Sequence, residues 1–245
     1  MWDEAVRLFE AHRQRLAEAA IPLRARLEPD QGLMCTYAEG VVRLALPDPA
    51  LPGGALRAAL VAGLMGIDVE QVVWLFRTQL PRLVAHEIGH ALRDEAGCMG
   101  ADPWEEEAWA ERLADLLSRP LVGEADRTAM RDLLGPVAQA LGGLPEAIAT
   151  WRDPARALAH PVLRDLVPRR PSVASYRDLD TFLRVSVGWG YLDLLLESED
   201  DLPAYRADLQ RAPTRASPSW AAARRRPRRA GSRSPARSRC PPAPS

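Results

Sequence analysis

The sequence predicts a mostly helical α+β fold, and three observations support this prediction. Apolar residues recur at intervals of three and four along most of the chain, which is typical of amphipathic helices. One stretch, residues 33–46, alternates around a Gly-containing turn instead, which indicates β-strands. Hydrophobic residues make up 47% of the chain and charged residues 27%, a balance that is typical of soluble globular proteins.

The N-terminal part is expected to contain one helix and one β-hairpin. Residues 2–20 place their apolar side chains on one side and predict an amphipathic helix. Residues 33–38 and 41–46 flank Glu39-Gly40, so they predict two strands joined by a tight turn. The same patterns predict further helices at 55–64, 69–78, 124–134, 136–149, 153–159 and 177–197.

Residues 86–90 carry the pattern with the clearest chemical content, His-Glu-Ile-Gly-His. Residues four apart lie on one face of a helix, so His86 and His90 can bind the same metal ion. Glu87 projects beside that ion, where a carboxylate can take a proton from an activated water. The flanking residues predict a half-buried helix over 81–96. Its charged residues Arg82, Arg93, Asp94 and Glu95 are expected on the side away from the apolar stripe.

A second helix is expected to follow at 103–118. Asp102 is a good N-cap, Pro103 suits the first helical position, and Glu105 stands where a capping-box acid belongs. The small residues Ala110 and Ala114 are one turn apart, so this helix can approach the first one closely.

The second helix supplies the expected third metal ligand, because a catalytic zinc usually has three protein ligands and an open fourth position. Glu107 and Glu111 share one face. In one assignment Glu107 binds the metal and Glu111 accepts a hydrogen bond from the outer ring nitrogen of a ligand histidine. In the other, Glu111 binds the metal and Asp115 supports it. Glu105 and Glu106 fit a solvated helix face, and Cys98 fits a free thiol in a loop.

These two helices resemble the gluzincin zinc peptidases, the clan of thermolysin and the zinc aminopeptidases, and within it the small peptidase-MA-type domains. The second motif of those domains is commonly Pro-Trp followed by Glu-Gly-x-Ala-Glu. Here residues 103–111 read Pro-Trp-Glu-Glu-Glu-Ala-Trp-Ala-Glu, with Ala108 in place of the usual Gly. The resemblance is specific over about residues 80–120. A weaker likeness links 107–120 to the soluble bacterial peptidases that cleave repressors.

The resemblance implies a zincin-like domain over residues 1–211, with the hairpin beside the metal helix and a helical C-terminal lobe. It implies Zn²⁺ bound by His86, His90 and Glu107, with Glu87 as the general base of peptide-bond hydrolysis. The substrate would be a peptide or protein. Two alternatives stay open: a non-catalytic or regulatory metal-binding protein on the same scaffold, and a helical protein without a metal.

Two further expectations concern substrate binding. In related enzymes an edge strand of the small sheet pairs with the extended substrate, and the second hairpin strand is the candidate here, unless it only packs against the core. A Tyr or His from the C-terminal lobe steadies the oxyanion in related enzymes. Tyr191, Tyr176 and His160 are the candidates, with core or surface packing as the alternative for each.

Composition predicts a cytoplasmic protein with no membrane partner. The N-terminus lacks the features of a signal peptide, and the longest apolar run, residues 55–67, is too short to span a bilayer and contains Arg57. Three scattered cysteines imply no disulfide framework. The sequence does not predict the oligomeric state.

The C-terminal residues 212–245 predict a disordered Arg- and Pro-rich tail. The net charge is −1, yet residues 211–245 hold ten arginines and no acidic residue. Arginine clusters attract phosphates, but apart from Trp220 the tail has no aromatic residues among its arginines, so nucleic acid is not the expected partner. An out-of-frame reading of a GC-rich gene would give the same residue types.

Overall fold

The computed structural model confirms a mostly helical α+β fold with one small sheet. It describes residues 1–100, 102–151, 153–167, 179–196 and 200–212. Tyr176, Cys240 and nearly all of the predicted C-terminal tail lie outside the described residues.

The helices are α1 (Trp2–Glu18), α2 (Gly54–Met65), α3 (Val69–Thr78), α4 (Leu80–Glu95), α5 (Pro103–Ser118), α6 (Glu124–Leu141), α7 (Leu144–Thr150), α8 (Pro154–Ala159), α9 (Pro161–Leu166), α10 (Leu179–Leu195) and α11 (Leu202–Arg211). A short 3-10 turn, Arg119–Leu121, follows α5. The strands are β1 (Arg26–Pro29), β2 (Thr36–Ala38) and β3 (Val41–Leu44). Within the described residues, no single helix is long and apolar enough to cross a membrane, although α2 and α3 pass that test as a pair bent by 102°.

The predicted hairpin is present as β2 and β3. Glu39 and Gly40 both have positive φ, 53° and 75°, as a two-residue turn between twisted strands requires. An additional strand, β1, was not predicted, and it pairs in parallel with β3. The sheet order is therefore β1-β3-β2. Because β3 is the central strand with both sides paired, the prediction that it pairs with the substrate backbone is wrong.

Helix α6 differs from the expected pair of helices that divide at residue 135. It continues through Pro136 to Leu141 and is capped by Gly142, which has a φ of 67°. A proline inside a helix removes one backbone hydrogen bond. Here the neighbours Leu134, Val137 and Ala138 are buried in the core, and this packing offsets the loss.

Two apolar cores hold the fold together. One joins α1, the sheet and α11 to the inner faces of α4 and α5, with Val84, Ile88 and Leu113 fully buried. The other lies among α6, α7 and α10, around Trp189 and Leu192. The first core fixes the two helices on which the candidate metal ligands lie.

A buried ion pair also joins α4 to α5. Arg93 and Glu106 are each only 2% exposed, and Nη2 of Arg93 donates to Oε1 of Glu106 over 2.6 Å. The backbone N–H of Gly100 donates to the same oxygen. The expectations that Arg93 and Glu106 face solvent are therefore wrong. Each charge is compensated by the other, which is the condition for burying both.

Helices α4 and α5 are in close backbone contact at Gly89. A Cβ atom at this position would lie 2.6 Å from Cα of Ala110, which is too close for any side chain. The close approach expected from Ala110 is thus present, and Gly89 is the residue on α4 that allows it. It lies inside the His-Glu-Ile-Gly-His motif, so this contact sets the separation between the two candidate ligand helices.

Gly89→Ala is expected to destabilise the fold by about 2 kcal/mol, because overpacking forces the helices apart. It should also weaken the zinc binding that the sequence predicts, since Glu107 lies on the helix that moves. Urea unfolding of the metal-free protein and competition with a chelator measure the two effects. Gly63→Ala is the matched control, because Gly63 is exposed in α2 with no atom within 4 Å of the added Cβ. The free energy of unfolding of this control should rise by about 1 kcal/mol, because alanine favours a helix over glycine. Equal unfolding midpoints for Gly89→Ala and wild type would contradict the predicted overpacking.

Candidate metal centre

Three side chains from α4 and α5 converge on one point. The Nε2 atoms of His86 and His90 lie 3.2 Å apart. Oε2 of Glu107 lies 3.3 Å from Nε2 of His86, and Oε1 lies 3.7 Å from Nε2 of His90. A tetrahedral zinc with bonds near 2.0–2.1 Å separates its ligand atoms by about 3.4 Å. The shortest separations involve both oxygens of Glu107 and lie near this spacing, and one ligand atom from each residue lies within 4.8 Å of the other two.

The cluster stands alone in the part of the chain that the structure describes. No other group of three His, Cys, Asp or Glu side chains there brings its ligand atoms within 4.8 Å of one another. Cys98 is buried against Arg93 and is not one of the cluster, as expected for a free thiol.

Both histidines are neutral near pH 7. Burial lowers the pKa of His86 to about 3, and the positive charge of Arg82 acts in the same direction. Burial also lowers the pKa of His90 to about 4, although the nearby Glu107 carboxylate opposes the shift. A histidine binds a metal through its neutral ring, so the site presents its imidazoles in the ligand form.

Glu111 holds the ring of His86. Nδ1 of His86 lies 2.8 Å from Oε1 of Glu111, so the ring N–H donates to this carboxylate. A neutral imidazole has a single N–H, and Nε2 is therefore left with a lone pair facing His90 and Glu107. Asp115 pairs with Arg119 at 2.6 Å instead of supporting Glu111. This arrangement favours Glu107, rather than Glu111, as the third ligand.

Arg82 and Asp193 extend this support to a third helix, and the sequence patterns predicted neither residue as part of the site. Arg82 forms ion pairs with Glu111 and with Asp193 of α10, where Nε of Arg82 lies 2.9 Å from Oδ2. Arg82 was expected on the polar side of its helix, but its position one turn before His86 places it beside Glu111. Asp193 could have been found as a single acid inside an otherwise apolar segment.

Glu87 is a buried carboxyl, 5% exposed, next to the ligand cluster. Burial raises its pKa well above the usual value, and the negative charge of Glu107 adds to the shift. A dication at the cluster would act in the opposite direction and favour the carboxylate. Together with His86, Glu87 lines a cavity of about 160 Å³, so it can meet a molecule bound there.

The structure does not bring Tyr191 to this centre. Its ring packs against α6, with the hydroxyl 3.2 Å from the point where a Cβ at Gly135 would stand. Burial raises the pKa of Tyr191, and the charges of Arg131 and Asp132, both on α6, also affect this pKa. Tyr191 does not line the cavity beside Glu87. His160 lies between α8 and α9 and does not line that cavity either. Tyr176 lies outside the described residues.

Comparisons of the chain with protein-family models, with curated proteins and with solved structures give no match. A functional assignment therefore depends on the chemistry and geometry of the side chains themselves. The observations that carry it are the ligand separations, the neutral imidazoles, the Glu111 contact and the buried carboxyl of Glu87.

Proposed function

We propose that the chain is a zinc-dependent peptidase with a zincin-like fold. The carrying observation is the convergence of His86, His90 and Glu107 at the ligand spacing of a tetrahedral zinc. A purely structural zinc site uses four protein ligands, whereas three leave a position for water. The cluster contains two neutral imidazoles and one carboxylate, which is a donor set that suits Zn²⁺.

Glu87 is the proposed general base. Zinc supplies Lewis-acid activation of a water molecule and of a carbonyl group when it is bound at such a site. The Glu87 carboxylate takes the proton of the attacking water and passes it to the nitrogen of the departing amine. The C–O bond to the carbonyl carbon forms first, and the C–N bond breaks when the nitrogen receives the proton, so the products are a carboxylic acid and an amine. A structural site has no use for a buried carboxyl in this position.

Glu111 and Arg82 are positioning residues in this proposal. Glu111 fixes the His86 ring through Nδ1, and Arg82 fixes Glu111 through an ion pair. Asp193 also holds Arg82, accepting from its Nε and Nη2. Each group is oriented by the next, so the His86 ring loses its freedom to rotate away from the cluster.

A second candidate function is metal binding without catalysis, and one observation favours it. Among the described residues that line the cavity, none is a tyrosine and His86 is the single histidine. Within that described lining, no tyrosine or second histidine is present to steady an oxyanion, as such a residue does in the peptidases that this site resembles. Loss of catalysis with retention of the metal would leave a sensor or regulatory protein.

Metal analysis and peptide digestion separate these functions. The purified chain is expected to hold one zinc, to cleave members of a mixed peptide library, and to lose cleavage when a chelator removes the metal. Restoring zinc should restore cleavage. Bound zinc without any cleavage would assign the chain to metal binding alone, and absence of bound zinc at micromolar concentrations would refute both functions.

A further inference from the structure

We propose that the cavity beside Glu87 binds one apolar side chain of the substrate, of about the size of Leu or Phe, next to the bond that is cut. This inference rests on the proposed peptidase function and names its substrate class. Glu87 and His86 line the same cavity as side chains from α2, α3 and α10. A side chain held there is therefore adjacent to the reacting groups.

The wall of the cavity is largely apolar. Leu60 and Leu64 come from α2, Phe76 from α3, and Leu183 and Val187 from α10. The consecutive helices α2 and α3 and the distant helix α10 thus line one space at the side of the metal helix, α4. Apolar walls favour an apolar occupant, because the contact removes hydrocarbon surface of both partners from water.

The volume of the cavity sets the size of the occupant. It measures about 160 Å³. An engineered protein cavity of about 150 Å³, lined by Leu, Ile and Phe, binds a benzene molecule. The space beside Glu87 is therefore sufficient for a single Leu, Met or Phe side chain.

The two arginines in the wall already donate to other groups of the protein, so they offer few free N–H groups to an acidic side chain. The Arg57 guanidinium donates to three backbone carbonyls, those of Asp30, Gly32 and Leu46. Arg82 is held by Glu111 and Asp193. An acidic or basic side chain entering the cavity would lose its hydration without gaining one of these arginines or their partners.

The apolar surface continues outside the cavity along α2. Leu60 and Leu64 are each 40% exposed at the rim, and Leu56 on the same helix face is 64% exposed. Leu33, on the segment before β2, lines the cavity as well and is 48% exposed. A peptide entering from this side meets leucine side chains before it reaches Glu87.

Matched peptides test the proposal on the zinc-loaded full chain. The peptides differ at one position beside the cleaved bond, which carries Leu, Phe, Gly, Asp or Arg. We expect kcat/KM for Leu and Phe to exceed that for Gly, Asp and Arg at least about tenfold. Equal values across the series would overturn the pocket while leaving the peptidase function intact.

Binding to the Glu87→Gln variant distinguishes failure of the pocket from failure of the proposed function. Dissociation constants for the same peptides are expected to follow the same order, with Leu and Phe tightest. If the Leu and Phe peptides bound most tightly but the wild-type chain cleaved none of the series, the apolar pocket would be supported and the peptidase function refuted. Absence of binding and of cleavage would refute both.

Leu64→Asp places a carboxylate at the rim, where partial exposure allows the chain to fold. It should lower kcat/KM for the Leu peptide at least about tenfold and raise it for the Arg peptide. Leu121→Asp is the matched control, because Leu121 is 50% exposed but does not line the cavity. An unchanged preference in Leu64→Asp would overturn the proposal. Vesicles of phosphatidylcholine test a lipid-binding role for the same surface. If the wild-type chain and Leu121→Asp bound them and Leu64→Asp did not, the surface would bind lipid, and the proposed substrate pocket would be overturned.

Discussion

Glu87→Gln is expected to keep its zinc and to lose peptidase activity by about 10²–10⁴-fold. Glutamine has the size and hydrogen-bonding shape of glutamate but cannot accept a proton near neutral pH. The three ligand side chains are untouched, so the metal content should remain at the wild-type level. Elemental analysis gives the zinc content, and cleavage of one sensitive peptide gives kcat/KM.

The matched control for this variant is Glu70→Gln, which changes an exposed acid in the first turn of α3. It should leave both zinc content and kcat/KM at wild-type values. Turnover by Glu87→Gln within a few fold of wild type would exclude Glu87 as the base. Loss of zinc from Glu87→Gln would instead show that this carboxyl contributes to holding the metal.

Glu107→Ala is expected to lose the metal, whereas Glu111→Ala should retain it with about 10–100-fold weaker affinity. The reason is geometric, since Glu107 places an oxygen 3.3 Å from Nε2 of His86 while Glu111 contacts the opposite ring nitrogen. Removing the former deletes a ligand, and removing the latter only releases the ring. Zinc content after dialysis and competition with a chelator measure the two outcomes.

The opposite ranking would move the ligand set by one helical turn. If Glu111→Ala lost its zinc and Glu107→Ala kept it, Glu111 would be the ligand. Asp115→Ala serves as the control for that alternative, because Asp115 pairs with Arg119 and should not affect the metal. Far-UV circular dichroism of each variant ensures that lost zinc does not reflect an unfolded chain.

Local patterns predicted the elements that carry the centre. The i, i+4 spacing of His86 and His90 requires only that the helix form, and its apolar stripe ensures that. The start of α5 follows from Asp102, whose carboxylate accepts from the N–H of Trp104. Both signals lie within a few residues along the chain, so they can be interpreted without knowledge of the fold.

Contacts between distant residues were not predictable in this way. Arg82 and Asp193 are 111 positions apart, and nothing in either local segment specifies the other. Strand β1 contains only four residues and ends in proline, so its alternation is too short to be recognised. Strand β3 is central only because β1 pairs with it, so the prediction that β3 pairs with the substrate failed for the same reason.

The buried pair of Arg93 and Glu106 limits where residues can be inserted or deleted near the candidate metal centre. Glu106 anchors α5 to α4, and Glu107 faces the histidines. Because the two residues are consecutive, the angle between them around the helix axis is fixed. One residue inserted between them would rotate Glu107 by about 100° around the helix axis. Insertions and deletions can therefore be tolerated before Glu106 or well after Glu111, but not between Glu106 and Glu107.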